Sequence, residues 1–210
     1  MKLTFFSDTH NRHSEVPFES GDFLFHTGDF TRRGSLEDTR AFAEFVAGLD
    51  FKHKIVIAGN HDFCFDDERK EEAEAILKDN GIIYLNDSGI EIEGFKIWGS
   101  PIQPWFHDWA FNRHRGPEIR EHWDLIPNDT DILLTHGPPR AVMDLCANGE
   151  RVGCTDLLKT IQRVQPRVHA FGHIHEGYGT DIFGGIIFVN SCSLDESYKY
   201  KNAPITLELS

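Results

Sequence analysis

Short apolar runs recur along the chain, and each is bounded by Gly, Asn, Asp or Pro. Most of these runs are continuously apolar rather than alternating, which is typical of strands covered on both faces of a sheet. Strands are therefore predicted at KLTFFS, DFLFHTG, KIVIAGN, IIYL, DILLTHG, RVHAFGH, IIFVNS and ITLEL. The stretch GIEIEGFKIWG predicts a hairpin, so the sheets should contain both parallel and antiparallel pairs.

Helical patterns lie between some of these strands. In SLEDTRAFAEFVAGLD the apolar residues recur at helical spacing, and Ser35 with Asp38 forms a capping box at the start. The stretch DDERKEEAEAILKDNG predicts a charged surface helix that ends at Gly81. The stretch CTDLLKTIQRVQP predicts a helix with Thr155 as its N-cap that ends before Pro166. Strands that alternate with helices indicate an α/β layered fold.

Residues 101–117 are aromatic and show no regular pattern, so they are interpreted as a long irregular loop of the kind that is often functional. Two interpretations of this loop are open. Its aromatic rings either pack onto the core, which we favour, or stack on a nucleobase beside an arginine at a phosphate. The residues concerned are Trp105, Phe106, Trp109, Phe111, Arg113 and Arg115.

The composition indicates a single acidic domain over residues 1–210. That length is enough to bury a sizeable core, and the formal net charge is −13. An acidic surface repels phosphate backbones, so we expect no tight binding to long nucleic acid. A small anionic substrate is compatible with this charge if bound metal ions reverse the local sign.

The cysteines and the N-terminal stretch bear on the cellular compartment. Cys64, Cys146, Cys154 and Cys192 are far apart and form no C-x-x-C pair, so we expect reduced thiols, with disulfides as the alternative. No signal peptide precedes the first predicted strand, and no apolar stretch is long enough to span a bilayer. These features predict a cytoplasmic protein without a membrane partner.

Chemically active side chains follow five of the predicted strands. In open α/β sheets, ligands bind outside the carboxyl ends of the strands, so these side chains should converge in one crevice. Taken singly, each group is also explained by ordinary turn chemistry. Ordinary turns do not explain why five such groups each directly follow a different predicted strand. They are Asp8 and His10 after LTFFS, Asp29 after FLFHTG, Asn60, His61 and Asp62 after KIVIAG, His136 after DILLT, and His173 and His175 after VHAFG.

The ordered set DTH, GD, GNHD, THG and GHIH resembles the calcineurin-like metallophosphoesterase superfamily. The longer stretches HTGDFT, LLTHGPP, RVGCTDLL and GHIHEGYGT are similar to its metallophosphoesterase-domain-containing (MPPED) subfamily. The resemblance implies a four-layer αββα sandwich of two mixed β-sheets flanked by helices. It also implies a two-metal site that cleaves phosphoesters.

By the family pattern, one divalent ion takes Asp8, His10, Asp29 and His175, and the other takes Asp29, Asn60, His136 and His173. Asp29 is then the bridging carboxylate. Side chains at i and i+2 of an extended segment share a face, so His173 and His175 should reach adjacent ions. This donor set suits Mn, Fe, Zn or Co, and the resemblance favours Mn²⁺, with Fe or Zn as alternatives.

The expected chemistry is hydrolysis by a hydroxide shared between two ions roughly 3.5–4 Å apart. His61 is predicted to protonate the leaving alkoxide as a general acid, or to stabilise charge on the phosphoryl oxygens. Asn60 and His61 are the predicted substrate contacts. Asp62 either orients the His61 ring or solvates the turn, and Cys64 is interpreted as a structural thiol.

The predicted function is a dinuclear phosphodiesterase for small phosphodiesters, nucleotides such as 2′,3′- or 3′,5′-cyclic forms among them. One alternative is a phosphomonoesterase or protein phosphatase. Another is a scaffold protein that binds a nucleotide with little turnover. The sequence does not indicate which protein partners, if any, the chain has.

Overall fold

The computed structural model describes residues 1–209, in which two large sheets are flanked by helices. In chain order the elements are β1 (Lys2–Phe6), β2 (Gly21–Thr27), α1 (Leu36–Ala47), β3 (Phe51–Ile57), α2 (Lys70–Asp79), β4 (Ile83–Tyr84), β5 (Ser88–Ile92), β6 (Phe95–Ser100), β7 (Gln103–Pro104), β8 (Asn112–Arg113), α3 (Pro117–Trp123), β9 (Ile132–Thr135), α4 (Thr155–Val164), β10 (Val168–Phe171), β11 (Gly179–Phe183), β12 (Ile186–Asn190) and β13 (Ile205–Glu208).

The first sheet has five strands in the order β13-β1-β2-β3-β4. Strands β1 to β4 run parallel, whereas β13 joins β1 antiparallel. The carboxyl ends of β1, β2 and β3 therefore lie side by side at one end of the sheet.

The second sheet has six strands in the order β11-β12-β10-β9-β6-β5, with parallel inner pairs and antiparallel outer pairs. Just beyond β1 and β12, a parallel bridge between Ser7 and Cys192 joins this sheet to the first. The Ser7 amide donates to Ser191 O, and the Ser193 amide donates to Ser7 O, each at 2.9 Å. The two sheets are thus fastened together at the end where the predicted ligands lie.

The core between the sheets is built from alternate strand residues, because side chains alternate between the two faces of a strand. Leu3 and Phe5 of β1 face inward with Phe25 of β2, and they meet Leu134 and Ala170 of the second sheet. The Phe5 and Phe25 rings stack with their centroids 4.9 Å apart. Each side chain of this size contributes roughly 1.5–3 kcal/mol to folding when it is fully buried.

Helices cover the outer faces of both sheets. The ring of Phe6, which points to the opposite side of β1 from Phe5, lies 6.5 Å from the ring of Phe42 in α1. Leu157 of α4 belongs to the same buried cluster as Phe171 of the second sheet. The structure is therefore a four-layer arrangement with two mixed sheets, as the resemblance implies. Within residues 1–209, none of the helices has the length and apolar character needed to cross a membrane.

All the predicted strands form, but residues 101–117 are not a wholly irregular loop. They contain β7 and β8, which pair in parallel, and they lead into α3, which the sequence did not predict. The edge strand β11 was also missed, because its residues are exposed or half-buried and form no apolar run.

The helix caps differ from the prediction at one place. Ser35 caps α1 as predicted, since its side chain accepts the Asp38 amide at 3.0 Å. For α4 the predicted N-cap Thr155 is wrong. Thr155 is the first helical residue, and Cys154 is the N-cap, with its Sγ accepting the Leu157 amide at 3.4 Å.

Candidate metal centre

The side chains predicted as metal ligands lie together outside the carboxyl ends of β1, β2, β3, β9 and β10. Asp8, His10 and His175 form one group, and Asp29, His136 and His173 form another, each with its potential ligand atoms within 4.8 Å of one another. The two groups correspond to the two predicted ion sites. Asn60 adjoins the second group, with its Oδ1 2.9 Å from Nε2 of His136.

Asp29 lies at the middle of this cluster. Its Oδ2 is 3.4 Å from Nε2 of His136 and 3.9 Å from Nε2 of both His10 and His61. In the first group, Oδ1 of Asp8 is 3.9 Å from Nε2 of His175. Two donors bound about 2.1 Å from one ion lie roughly 3–3.5 Å apart, so only a small contraction is needed around a metal.

Backbone carbonyls fix the orientation of two of the imidazoles. Nδ1 of His136 donates to Thr27 O, and Nδ1 of His175 donates to Leu194 O, both at 2.9 Å. A carbonyl oxygen can only accept, so Nδ1 of each ring carries a proton, and Nε2 is the nitrogen that can bind a metal. Those Nε2 atoms point at the carboxylates, which is the usual preparation of a histidine for metal binding.

Two observations show that the cluster fits a cation. His10 is buried, and neither of its ring nitrogens has a hydrogen-bond partner. Nε2 of His136 faces two oxygen acceptors, Asn60 Oδ1 and Asp29 Oδ2. Burial acts to lower the pKa of His136, but the charge of Asp29 and the hydrogen bond to it raise that pKa to about 9. Either a proton or a metal ion is needed between these acceptors.

The backbone at the cluster is strained. Asp8, His10, Asp29 and His173 have φ values of 51°, 40°, 59° and 67°, in the left-handed region that side chains other than glycine rarely adopt. Each such residue costs of order 1–3 kcal/mol. Four strained residues within one predicted ligand set are typical of a functional site, where surrounding structure holds an unfavourable conformation.

His173 and His175 reach different groups for a reason other than the predicted one. Strand β10 ends at Phe171, His173 is left-handed, and His175 begins a 3₁₀ turn. They therefore do not share a face of an extended segment. The turn separates the two rings and leaves His173 beside His136, with ring centroids 4.9 Å apart.

Glycines allow the ligand-bearing turns to approach one another closely. A Cβ on Gly59 would overlap Oδ1 of Asp29 and lie 2.5 Å from Cε1 of His136. A Cβ on Gly172 would overlap Oδ2 of Asp8. The glycines that precede the predicted ligands in GNHD and GHIH thus leave the space that the carboxylates occupy.

Asp62 does not touch the ring of His61, and it does not solvate the turn either. It is buried, and its carboxylate accepts the backbone amides of Asp29, Thr31 and Gly59 at 2.8–2.9 Å. Burial and the charge of Asp29 raise the pKa of Asp62 to about 7. Asp62 therefore ties the turn after β2 to the turn after β3.

The ring of His61 is held by other groups. Its Nδ1 donates to Arg32 O at 2.8 Å, and Trp109 stacks on it with ring centroids 4.2 Å apart. The His61 amide donates to Oδ1 of Asp29 at 2.8 Å. These contacts leave Nε2 of His61 directed towards Asp29 and the adjoining cavity.

Three residues at the centre were missed at the sequence level. Ser7 and Cys192 donate to Oδ2 of Asp8, the latter at 3.2 Å. The ring of Tyr198 lies 4.9 Å from the ring of His10. None belongs to a recognisable motif, because each is brought in by the bridge between the sheets or by the loop after β12. Cys64, by contrast, is buried against Thr39, as its structural interpretation predicts.

A cavity of about 630 Å³ opens on the centre and is lined by Asn60, His61 and His173 among others. The aromatic residues of segment 101–117 divide between the two predicted roles. Phe111 is buried in the core. Trp105 and Phe106 line the cavity and are 52% and 48% exposed. Arg115 lines the cavity, whereas Arg113 is not among the lining residues and bonds to His122.

Comparisons with known proteins agree with this fold and identify its family. Residues 1–177 match the calcineurin-like phosphoesterase family. Human metallophosphoesterase domain-containing protein 1 is 42% identical, over 97% of this chain and 69% of the human protein. Phosphopantetheinyl hydrolase from Mycobacterium tuberculosis has a TM-score of 0.67 at 15% identity, over 94% of this chain and 90% of its own. A protein from Thermus thermophilus has a TM-score of 0.64 at 14% identity, over 98% of this chain and 97% of its own. The two structural similarities concern the fold alone.

Proposed function

The chain belongs to the calcineurin-like phosphoesterase family, and we propose that it is a phosphodiesterase that hydrolyses small phosphodiesters, cyclic nucleotides among them. The observation that carries this proposal is the convergence of carboxylate, carboxamide and imidazole groups from five strands around buried nitrogens that lack partners. A binding scaffold has no need of a strained centre in which every ligand position is filled.

The family implies divalent metal ions, and the donor set of this chain fits a pair of them. Asp8, His10 and His175 would hold one ion, His136, His173 and Asn60 would hold the other, and Asp29 would contact both. Bound there, such ions polarise a phosphoryl group and activate water. Mixed oxygen and nitrogen donors suit Mn²⁺, with Fe or Zn as the alternatives.

His61 is the proposed general acid. Because its Nδ1 proton is committed to Arg32 O, the proton available for transfer is the one on Nε2, which faces the cavity. Asp29 Oδ2 lies 3.9 Å from that nitrogen, so the Nε2 side of the ring faces the metal centre. Trp109 fixes the plane of the imidazole, so the proton is aimed in one direction.

The cavity supports a small substrate. Its volume of about 630 Å³ lies within the range of roughly 300–1,000 Å³ that is usual for small-molecule sites. The rings of Trp105 and Phe106 on its wall offer apolar faces to a nucleobase. Asn60 and His61 also line this cavity, and they are the proposed contacts for the phosphate.

Parallel assays test this proposal against its rivals. The metal-reconstituted protein should hydrolyse bis(p-nitrophenyl) phosphate and cyclic nucleotides faster than p-nitrophenyl phosphate. A strong preference for p-nitrophenyl phosphate or a phosphopeptide would establish a monoesterase instead. Tight nucleotide binding with negligible hydrolysis, at full metal content, would establish a binding scaffold.

A further inference from the structure

Three arginines line the same cavity as the metal centre, in a chain whose formal net charge is −13. They are Arg115, which follows β8, and Arg140 and Arg151, which lie on the segment between β9 and α4. None of them was assigned a role by the ligand pattern of the family. Their concentration at one cavity of an acidic protein indicates a local site for negative charge.

Of these three arginines, Arg151 alone has a carboxylate partner within residues 1–209. Arg151 pairs with the buried Asp144 at 2.7 Å. Arg115 instead donates to the carbonyls of Gly153 and Val152, at 2.8 and 2.6 Å. Arg140 donates to Arg151 O. Within residues 1–209, neither Arg115 nor Arg140 forms an ion pair, so the positive charge of both remains available to a ligand.

The segment 139–154 that carries these contacts is pre-organised. Asp144 is fully buried, and its Oδ2 accepts the amides of Ala141 and Gly153 at 2.9 and 3.1 Å. A parallel bridge between Pro139 and Cys154 closes the segment. Carbonyls held in this way fix the Arg115 guanidinium before any ligand arrives, which reduces the ordering cost of binding.

The acidic residues of the cavity do not cancel this charge. Apart from Asp29 of the metal centre, Glu176 is the acidic residue among those lining the cavity. One oxygen of Glu176 accepts the Ala147 amide at 2.8 Å. With Asp29 held at the proposed metal pair, the arginines leave the rest of the cavity electropositive.

We propose that Arg115 and Arg140 bind a second phosphate of the substrate, remote from the phosphorus that is cleaved. The planar guanidinium group is suited to phosphate oxygens, and the two groups share one cavity with the metal centre. This inference rests on the proposed phosphodiesterase function and narrows its substrate class to phosphodiesters that carry a further phosphate. A nucleoside that carries a free 3′-phosphate and an esterified 5′-phosphate is the simplest example.

The test uses two chromogenic esters with the same scissile bond. Thymidine 5′-(p-nitrophenyl phosphate) is compared with the same compound bearing a 3′-phosphate, using the Mn²⁺-loaded full chain. The 3′-phosphate should raise kcat/KM by about 10-fold, as expected for one charge-assisted hydrogen bond to phosphate. The global charge of the protein opposes this preference, so it requires a local cationic site.

Variants locate the effect. In Arg115→Gln and Arg140→Gln the ratio of the two kcat/KM values should fall towards one. Arg113→Gln is the matched control, since Arg113 bonds to His122 and is not among the cavity-lining residues. It should keep the wild-type ratio. A wild-type ratio near one, or an unchanged ratio in both variants, would overturn the inference.

A binding measurement separates this inference from the proposed function. Calorimetry should show tighter binding of thymidine 3′,5′-bisphosphate than of thymidine 5′-phosphate, and Arg115→Gln should remove the difference. If neither ester is hydrolysed with any metal, the proposed function fails while this comparison still decides on the anion site. Equal affinity for the two products would overturn the site even if both esters are hydrolysed.

Discussion

At the scale of single residues, His61 differs from the other imidazoles of the centre by what surrounds it. Arg32 O fixes its Nδ1, Trp109 covers one face, and Nε2 faces the cavity. Because the ring is already oriented, no conformational entropy is lost when it transfers a proton to a leaving oxygen. The proposed general-acid role of His61 can therefore be tested by comparing substrates whose leaving groups differ in their need for a proton.

We expect His61→Ala to lower kcat for a cyclic nucleotide by roughly 10²–10⁴-fold. The leaving group of a cyclic nucleotide is a ribose alkoxide, which must be protonated as it departs. The loss should be much smaller with bis(p-nitrophenyl) phosphate, since p-nitrophenoxide leaves unprotonated. His53→Ala, at the start of β3, serves as the control and should match the wild type. Near-normal turnover of the cyclic nucleotide by the His61 variant would reject the general-acid role.

His169 bears on stability rather than catalysis. Thr135 donates its hydroxyl to Gly137 O, so it accepts from Nε2 of His169 at 2.8 Å. Nδ1 of His169 is then buried without a partner, and burial lowers the pKa of the ring to about 3. A proton on Nδ1 would have no acceptor in the folded protein.

The pH dependence that follows has a definite sign. The unfolded chain binds a proton at His169 below about pH 6.5, whereas the folded chain does not bind it until about pH 3. The free energy of unfolding is therefore undiminished above pH 6.5 and falls as the pH is lowered towards 3. Between pH 6.5 and 4.5, the wild type should lose about 2–3 kcal/mol more than His169→Gln in urea titrations. Parallel losses in the two proteins would contradict this account.

At the scale of elements, the turns after the strands matter more than the strands themselves. Each turn carries its ligand on a left-handed or glycine-bearing backbone, and Asp62 ties two of the turns together through backbone amides. The turn after β3 has no room for another carbon beside Asp29. Its Gly59 is thus a structural requirement of the metal centre.

Replacing Gly59 by Ala should displace Asp29, because the added Cβ would overlap its carboxylate. Bound Mn²⁺, measured by mass spectrometry after dialysis, should fall from two ions per chain to one or fewer. Gly81→Ala is the control: its φ is +71° with nothing within 4 Å of the added carbon, so strain costs about 1 kcal/mol while metal content stays unchanged. Retention of two ions by the Gly59 variant would show that this space is not required.

The strands were predictable because buried parallel strands appear in a sequence as continuous apolar runs. The predicted ligands were recognisable because they are polar groups that directly follow these runs and have no role in packing. Strand β11 and helix α3 were not, since one is an exposed edge strand and the other is a seven-residue helix that follows the aromatic stretch. The carbonyl partners of His136 and His175 were beyond prediction as well. These carbonyls lie 109 and 19 residues from their histidines along the chain. Every residue has a backbone carbonyl, so the sequence does not indicate which one a histidine will contact.

At the scale of the whole molecule, two sheets bring their carboxyl ends together and the Ser7–Cys192 bridge holds them there. The convergence gathers carboxylates and imidazoles into a buried cluster of an already acidic chain. Such a cluster is costly without cations, and metal ions would remove that cost while making the cavity attractive to phosphate.

The cluster is inferred to hold a pair of divalent cations, which anomalous diffraction from crystals grown in Mn²⁺ would locate. Two anomalous peaks about 3.5–4 Å apart are expected, one beside His10 and His175, the other beside His136 and His173, with Asp29 between them. A single peak, peaks elsewhere on the molecule, or none at saturating Mn²⁺ would contradict the account.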